Sequence, residues 1–312
     1  VPGDTYKQYK ISNSVVLDQV NKIYELGTHD RQLSEKFAQA MNILAADIKE
    51  EEIINIYGID ANYYYLTESL CWPILKEIVE EKLMADPEQV NDRMRELSLK
   101  LPVDSDIQIA IRFIEQSALY YAQVRGLGTL KLNSTKEYVE KYTEEFYLVD
   151  LYYRRTLEAY HELITKENPI EQTLSDAKRQ LDLEYAKITN VLNLEWLTCV
   201  REKGAWFTET GLKHQEDFYK NESDTSVKQV IIVCDALRYE VAKELMQELA
   251  KEKHIATIDA YQTMLPTETK YCKPALITHH SLELNGTDMM VDGTLLTTTE
   301  QRTAHLGKYR EG

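Results

Sequence analysis

Over the first two thirds of the chain, apolar residues recur every three or four positions, the pattern of helices with one buried face. This pattern predicts helices near residues 14–26, 30–49, 64–84, 87–100 and 105–125. Two longer periodic stretches follow, one beginning at Asn133 and Ser134 and the other at Pro169. Because only residues 166–168 join them, we expect these two helices to form an antiparallel hairpin.

The pattern changes after a polar stretch at residues 218–225, which indicates a domain boundary. A β-branched run at 229–234 predicts a buried parallel strand. The elements expected after it are a helix at about 238–252, a strand from His254 to Tyr261, a turn at 265–269, a helix at about 270–278, and a hairpin of 289–291 with 294–296 around Asp292 and Gly293.

These patterns predict a fold that is mainly α followed by α/β. An all-helical domain is expected at residues 1–220, and the first part of a parallel-sheet domain at residues 226–312. Two or three strands leave the faces and edges of a parallel sheet uncovered. We therefore expect the α/β domain to be incomplete at Gly312.

The acidic charge of the chain is concentrated in its helical part. The formal net charge is −16. Residues 1–225 hold 26 basic and 40 acidic residues, whereas the remainder holds 10 and 12. Because so acidic a surface repels a phosphate backbone, a partner protein is the expected ligand of the helical domain, rather than DNA.

Four widely spaced cysteines, Cys71, Cys199, Cys234 and Cys272, are typical of free thiols in a reducing cytoplasm. Cys234 falls in the apolar run at 229–234, where a buried thiol is expected. No stretch approaches about 20 apolar residues, so no membrane span is predicted. The first residues carry no signal peptide, and the absence of an initiator methionine leads us to expect a fragment.

The most informative residue for chemistry is Asp235, which follows the apolar run at 229–234. Ligands and metals bind at the carboxyl edge of open α/β sheets, and carboxylate oxygens suit hard divalent cations. Asp235 is equally suited to cap the helix that follows, because aspartate is a favoured N-cap. Its local features leave metal ligand and helix cap as alternatives.

A second edge element, residues 264–270, carries Thr267 and Thr269 just before a predicted helix. A hydroxyl at Thr269 would lie in the positive field of the helix N-terminus and, with a metal lowering its pKa, could attack phosphorus. The alternative role of Thr269 is an ordinary N-cap, and Thr267 competes for either role. Lys270 and Lys273 are candidate phosphate contacts, with ordinary exposed lysines as the alternative.

Other features are assigned structural roles. His279 and His280 are adjacent and cannot both point the same way, which favours loop residues over metal ligands. Gly126 and Gly128 lack the preceding strand of a dinucleotide-binding turn, so we interpret them as a helix stop. The tyrosines on the helical stripes are expected to fill helix interfaces rather than to stack bases.

The motif Val233–Val241, followed by Leu265–Lys270, resembles the PglZ family, and its closest match is to the PglZ type A proteins of BREX phage-defence systems. Asn285–Gly293 and Thr303–Leu306 are similar to that family too. The resemblance is specific over residues 213–312 and rests on shorter patches in the helical region.

The resemblance implies an alkaline-phosphatase-like module with two divalent metal ions, usually zinc, with manganese or magnesium as alternatives. It implies that Asp235 is a metal ligand. It also implies that Thr269 binds the metal and is the nucleophile, which forms a phospho-enzyme. The family often has serine before this aspartate, whereas this chain has Cys234. The other Asp and His ligands of the family are expected beyond Gly312, so we expect about half a metal site and no activity from this chain alone.

The resulting hypothesis is a fragment of a metal-dependent phosphohydrolase, of phosphodiesterase or nuclease type, in a cytoplasmic BREX anti-phage complex. Other BREX proteins are the expected partners of the acidic helical domain, and nucleic acid is the possible substrate of the full-length parent. One alternative is a non-catalytic scaffold whose helical domain docks another defence protein. Another is a phosphatase that acts on a signalling phosphate or nucleotide.

Overall fold

The computed structural model describes residues 12–30, 67–101, 105–203, 210–222, 228–235, 237–264 and 266–310, with residue 103 and isolated positions between 33 and 58. The helices are α1 (Ser14–His29), α2 (Glu68–Glu77), α3 (Pro87–Lys100), α4 (Ile107–Gly126), α5 (Thr135–Lys141), α6 (Tyr147–Leu163), α7 (Glu171–Lys203), α8 (Phe218–Glu222), α9 (Tyr239–Lys251), α10 (Thr269–Ala275) and α11 (Thr299–Arg310). The π-helical turns Ile78–Lys82 and Tyr142–Phe146 continue α2 and α5. The strands are β1 (Lys213–His214), β2 (Tyr261–Gln262), β3 (Leu282–Asn285), β4 (Asp288–Val291) and β5 (Thr294–Leu295).

The chain divides into two compact units. The first contains residues 1–130 and 148–193, and the second contains residues 131–147 and 194–312. Residues 131–147 and 194–222, which the sequence pattern assigned to the helical domain, therefore group with the second unit. The domain limits 1–220 and 226–312 stay a prediction.

Helices of the first unit begin at residues that cap them. Thr67 Oγ1 accepts a hydrogen bond from the N–H of Leu70 at 3.1 Å, at the start of α2. Asp86 Oδ1 accepts one from the N–H of Gln89 at 3.2 Å, at the start of α3. Pro87 is the first residue of α3, where its missing N–H costs no helical hydrogen bond. These local signals explain why α3 spans the predicted residues.

The core of the first unit contains the inward faces of α2, α3 and α4. Their side chains with no exposed surface include Ile74, Leu75, Met94, Leu97, Phe113 and Ile114. Burying each such side chain contributes about 1.5–3 kcal/mol. A polar link joins α3 to α4, since Ser98 Oγ donates to Gln108 Oε1 at 2.8 Å.

Within the first unit, α6 and the part of α7 up to Asn193 form the predicted antiparallel hairpin. The rings of Tyr153 and Tyr185 stack with centroids 3.7 Å apart and an interplanar angle of 4°. The Tyr153 hydroxyl donates to Asp182 Oδ1 at 3.0 Å, and the Tyr185 hydroxyl donates to Asp150 Oδ1 at 2.7 Å. These tyrosines fill a helix interface, as predicted, and their hydroxyls bind carboxylates.

The second unit contains two small sheets. β1 and β2 pair in parallel, with Lys213 opposite Tyr261. β3, β4 and β5 form an antiparallel sheet in that order. The turn from β4 to β5 places Asp292 and Gly293 at φ angles of 48° and 73°, as in a two-residue type I′ hairpin. The predicted hairpin is therefore confirmed.

The predicted buried strand at 229–234 is wrong. This stretch belongs to no strand, and Val230 and Ile232 are 78% and 79% exposed. Cys234 is exposed as well, contrary to the predicted buried thiol. A parallel strand is buried by neighbours on its edges and layers on both faces, which the described part of the chain does not provide at this position. Of the predicted strand from His254 to Tyr261, only Tyr261 lies in a strand.

The order of elements confirms the predicted fold class, mainly α followed by α/β. The predicted helices at 105–125, 238–252 and 270–278 correspond to α4, α9 and α10. α4 ends at Gly126, which confirms the helix stop. The predicted helix at 30–49 lies mostly outside the described residues. Among the described helices, none combines the length and the apolar character needed to cross a bilayer.

Candidate functional site

Asp235 and Thr269 are 34 residues apart in sequence but adjacent in the structure. Asp235 follows the irregular stretch at 228–234, and Thr269 is the first residue of α10. The Thr269 hydroxyl donates to Asp235 Oδ2, with an oxygen–oxygen distance of 3.2 Å. The Asp235 side chain is 62% exposed and Thr269 is exposed, so a solute can reach both.

Neither residue caps a helix. The N-cap of α9 is Arg238 and that of α10 is Glu268. The capping alternatives for Asp235 and Thr269 are therefore wrong. Thr267, the competing hydroxyl, is exposed and makes no hydrogen bond within the part of the chain that the structure describes.

Lys273 joins this pair from the next turn of α10. Its Nζ lies 3.2 Å from Asp235 Oδ2, the same oxygen that accepts the Thr269 hydroxyl. The cluster therefore combines a hydroxyl, a carboxylate and an ammonium group. These groups can serve as a nucleophile, a cation ligand and a positive charge for a phosphate.

Lys270, the other predicted phosphate contact, has different neighbours. Its Nζ lies 4.6 Å from the ring centre of Tyr271 and 3.5 Å from Glu268 Oε2. The interaction with Tyr271 and the nearby Glu268 carboxylate raise the pKa of Lys270. Of the two lysines, Lys273 is therefore the one beside Asp235.

A glutamine that the sequence did not single out holds the loop before α10. Gln215 Oε1 accepts hydrogen bonds from Thr263 Oγ1 at 3.0 Å and from the N–H of Met264 at 3.2 Å. Its Nε2 donates to the carbonyl oxygen of Cys272 at 3.1 Å. One side chain thus ties the loop to the helix that begins at Thr269. Its only sequence signal was its place in a patch, residues 213–219, that resembles the PglZ family.

The side chains of Asp235 and Thr269 both offer oxygen atoms, the type of ligand that a hard divalent cation prefers. A zinc site uses four ligands. Within the described ranges, no group of three or more His, Cys, Asp or Glu side chains is placed to hold a metal. Asp235 and Thr269 offer two oxygen atoms of the kind such a site uses, and Asp235 Oδ2 also lies 3.2 Å from Lys273 Nζ. His279 and His280 lie in the loop between α10 and β3, as predicted.

Comparison with known proteins finds similarity in the last third of the chain. Residues 215–312 match the family model described as the BREX system PglZ alkaline phosphatase-like domain. Over 209 residues the chain is 27% identical to a protein of Bacillus cereus (strain H3081.97) named alkaline phosphatase-like protein PglZ. This match covers 62% of the chain and 24% of the relative, so the chain spans about a quarter of that relative's length. No solved structure matches the chain.

Proposed function

We propose, from the premise that residues 215–312 belong to the PglZ family of alkaline phosphatase-like domains, that the chain contributes to a metal-dependent phosphohydrolase site. In this proposal Thr269 is the nucleophile and Asp235 is a metal ligand. The observation that carries it is the 3.2 Å contact between the Thr269 hydroxyl and Asp235 Oδ2, in an exposed position that a phosphate ester can reach.

The proposed reaction begins with attack of Thr269 Oγ1 on phosphorus. The hydroxyl proton passes to solvent as the new oxygen–phosphorus bond forms, and the leaving alkoxide takes up a proton from solvent as its bond to phosphorus breaks. Water later hydrolyses the phosphothreonine to threonine and a free phosphate product. Asp235 orients the hydroxyl before attack by accepting its hydrogen bond. The ammonium group of Lys273 offsets the charge of the phosphate. A divalent cation held by Asp235 and Thr269, with zinc, manganese or magnesium as candidates, would lower the pKa of the hydroxyl and polarise the phosphate.

We also propose the partners, the substrate and the compartment of this activity. The matched family is described as part of a BREX system, so other BREX proteins are the proposed partners. Nucleic acid is the proposed substrate, because its phosphodiester bonds suit a site of phosphodiesterase type. The acidic residues 1–220 are the proposed docking domain, followed by the catalytic domain from residue 226. All four cysteines are free, which suits a reducing cytoplasm. With two oxygen ligands from Asp235 and Thr269, we expect the 312-residue chain alone to be inactive.

The test compares two threonines that lie two residues apart. In the protein at its natural length, Thr269→Ala should reduce metal-dependent hydrolysis of bis(p-nitrophenyl) phosphate by at least about 10³-fold, because the nucleophile is lost. Thr267→Ala, which removes an exposed hydroxyl without a hydrogen bond in the described structure, should retain wild-type turnover. Full turnover in Thr269→Ala would refute the nucleophile assignment. Preference for a phosphate monoester over the diester would instead indicate a signalling phosphatase.

A scaffold is the second candidate function, and the charge of residues 1–225 favours it, with 26 basic against 40 acidic residues. A variant that combines Asp235→Asn with Thr269→Ala separates the two functions in cells challenged with phage. Loss of both hydrolysis and phage restriction would support the catalytic function. Restriction that persists without hydrolysis would support the scaffold.

A further inference from the structure

Lys273 also lines an open pocket in the second unit, with a volume of about 330 Å³. This volume lies at the lower end of the range of about 300–1,000 Å³ that is typical of small-molecule sites. Because Lys273 contacts Asp235 as well, the pocket adjoins the Asp235–Thr269 pair.

Both charged side chains that line this pocket are cations, Lys273 and Arg302. The Arg302 guanidinium is held in place, since Nη1 donates to the carbonyl oxygen of Thr297 at 3.0 Å and Nη2 donates to Thr299 Oγ1 at 3.3 Å. Lys273 shares its charge with Asp235, 3.2 Å away, and Arg302 adds a second cation. In a chain with a net charge of −16, a pocket with these two cations and no carboxylate among its described lining residues favours an anionic ligand.

The remaining lining is aromatic and aliphatic. Phe218 and Tyr219 contribute half-buried rings, while Ile231 and Val233 are 43% and 52% exposed. Exposed apolar side chains gain from being covered, and aromatic rings stack on flat rings. The ligand that fits both the charge and the lining is an anion that carries a flat apolar group.

We propose that this pocket binds the aromatic group of a phosphate ester such as a nucleotide, with the phosphate beside Lys273. The orientation of that phosphate toward Thr269 rests on the proposed function. Binding itself requires neither metal nor turnover, so it can be measured separately from catalysis.

The test is isothermal titration calorimetry of the 312-residue chain in EDTA, with adenosine 5′-monophosphate (AMP) as the probe. Ile231→Glu places a negative charge in the pocket and should weaken AMP binding at least tenfold. Ile232→Glu is the matched control, because this neighbouring isoleucine is 79% exposed and does not line the pocket. It should keep the AMP affinity within twofold. Tyr219→Ala should weaken AMP binding but leave the affinity for inorganic phosphate unchanged.

Three results would overturn the proposal: no binding of AMP by the wild-type chain, equal AMP affinities of the Ile231→Glu and Ile232→Glu variants, or hexyl phosphate binding as tightly as AMP. The last result would assign the pocket to an alkyl chain rather than an aromatic ring. AMP binding that is lost in Ile231→Glu, with no phosphodiester hydrolysis by the natural-length protein, would support the pocket and overturn the proposed function. Hydrolysis by the natural-length protein, together with AMP binding that Ile231→Glu does not change, would support the proposed function and overturn the pocket.

Discussion

Replacing Tyr239 with alanine tests how residues 131–147 are held against α9 within the second unit. The Tyr239 ring lies 5.6 Å from the ring of Tyr147 and 6.1 Å from that of Tyr142. The Nζ of Lys243 lies 5.4 Å from the ring centre of Tyr239 and 5.6 Å from that of Tyr147. The Tyr239 hydroxyl donates to the carbonyl oxygen of Thr143 at 3.3 Å. One side chain at the start of α9 therefore makes most of these contacts.

The expected cost follows from these contacts. Each aromatic pair contributes about 0.5–1.5 kcal/mol, and an exposed cation–π contact about 0.5–1 kcal/mol. Tyr239→Ala should therefore lower the free energy of unfolding of the second unit by about 2–4 kcal/mol. Tyr239→Phe keeps the ring and loses only a long hydrogen bond, so it should cost about 1 kcal/mol or less.

The assay is urea unfolding followed by circular dichroism, together with hydrogen–deuterium exchange read by mass spectrometry. In Tyr239→Ala, exchange should increase in residues 135–147 and 239–251, while residues 87–126 of the first unit should be unchanged. Equal unfolding free energies for the alanine and phenylalanine variants would refute the reasoning, because the ring contacts would then contribute no stability.

Two further predictions concern burial. Leu97→Ala removes a side chain with no exposed surface and should lower the free energy of unfolding, measured in urea, by about 2–5 kcal/mol. Leu99→Ala is the control on the same helix, because Leu99 is 74% exposed, and it should change that free energy by about 0.5 kcal/mol or less. Equal losses of unfolding free energy in the Leu97→Ala and Leu99→Ala variants would contradict the assigned core. The exposed Cys234 should react with a disulfide reagent in the native protein, whereas Cys71, whose pKa burial raises to about 12, should react only after unfolding. Equal native labelling rates, measured by peptide mass spectrometry, would contradict these burial assignments.

The helices could be predicted from the sequence because the signals that begin and end them are local. Asp86 and Pro87 mark the start of α3 within one turn, and Gly126 marks the end of α4. The hairpin turn at Asp292 and Gly293 is equally local, since two residues with positive φ determine its geometry. In each case the residues that specify the element lie inside it or next to it.

The stretch at 229–234 could not be predicted in the same way. Its β-branched residues indicate a preference for a pleated and covered environment, but the cover and the ladder partners come from other parts of a fold. Val230 and Ile232 remain mostly exposed because the described part of the chain does not cover them. Gln215 was missed for a related reason, since its three hydrogen bonds reach residues about 50 positions away.

The contact between Asp235 and Thr269 shows how a sequence argument can bring two residues together by an incomplete route. The sequence placed both residues at the edge of one sheet, yet neither the stretch before Asp235 nor the loop before Thr269 forms a strand that would hold it there. Instead, α10 places Thr269 and Lys273 on successive turns, and both contact Asp235 Oδ2. The chemistry of a carboxylate, a hydroxyl and a nearby lysine was visible in the sequence, whereas the helix geometry that gathers them became visible only in three dimensions. The geometry also explains why Lys273, rather than Lys270, is the lysine to test first.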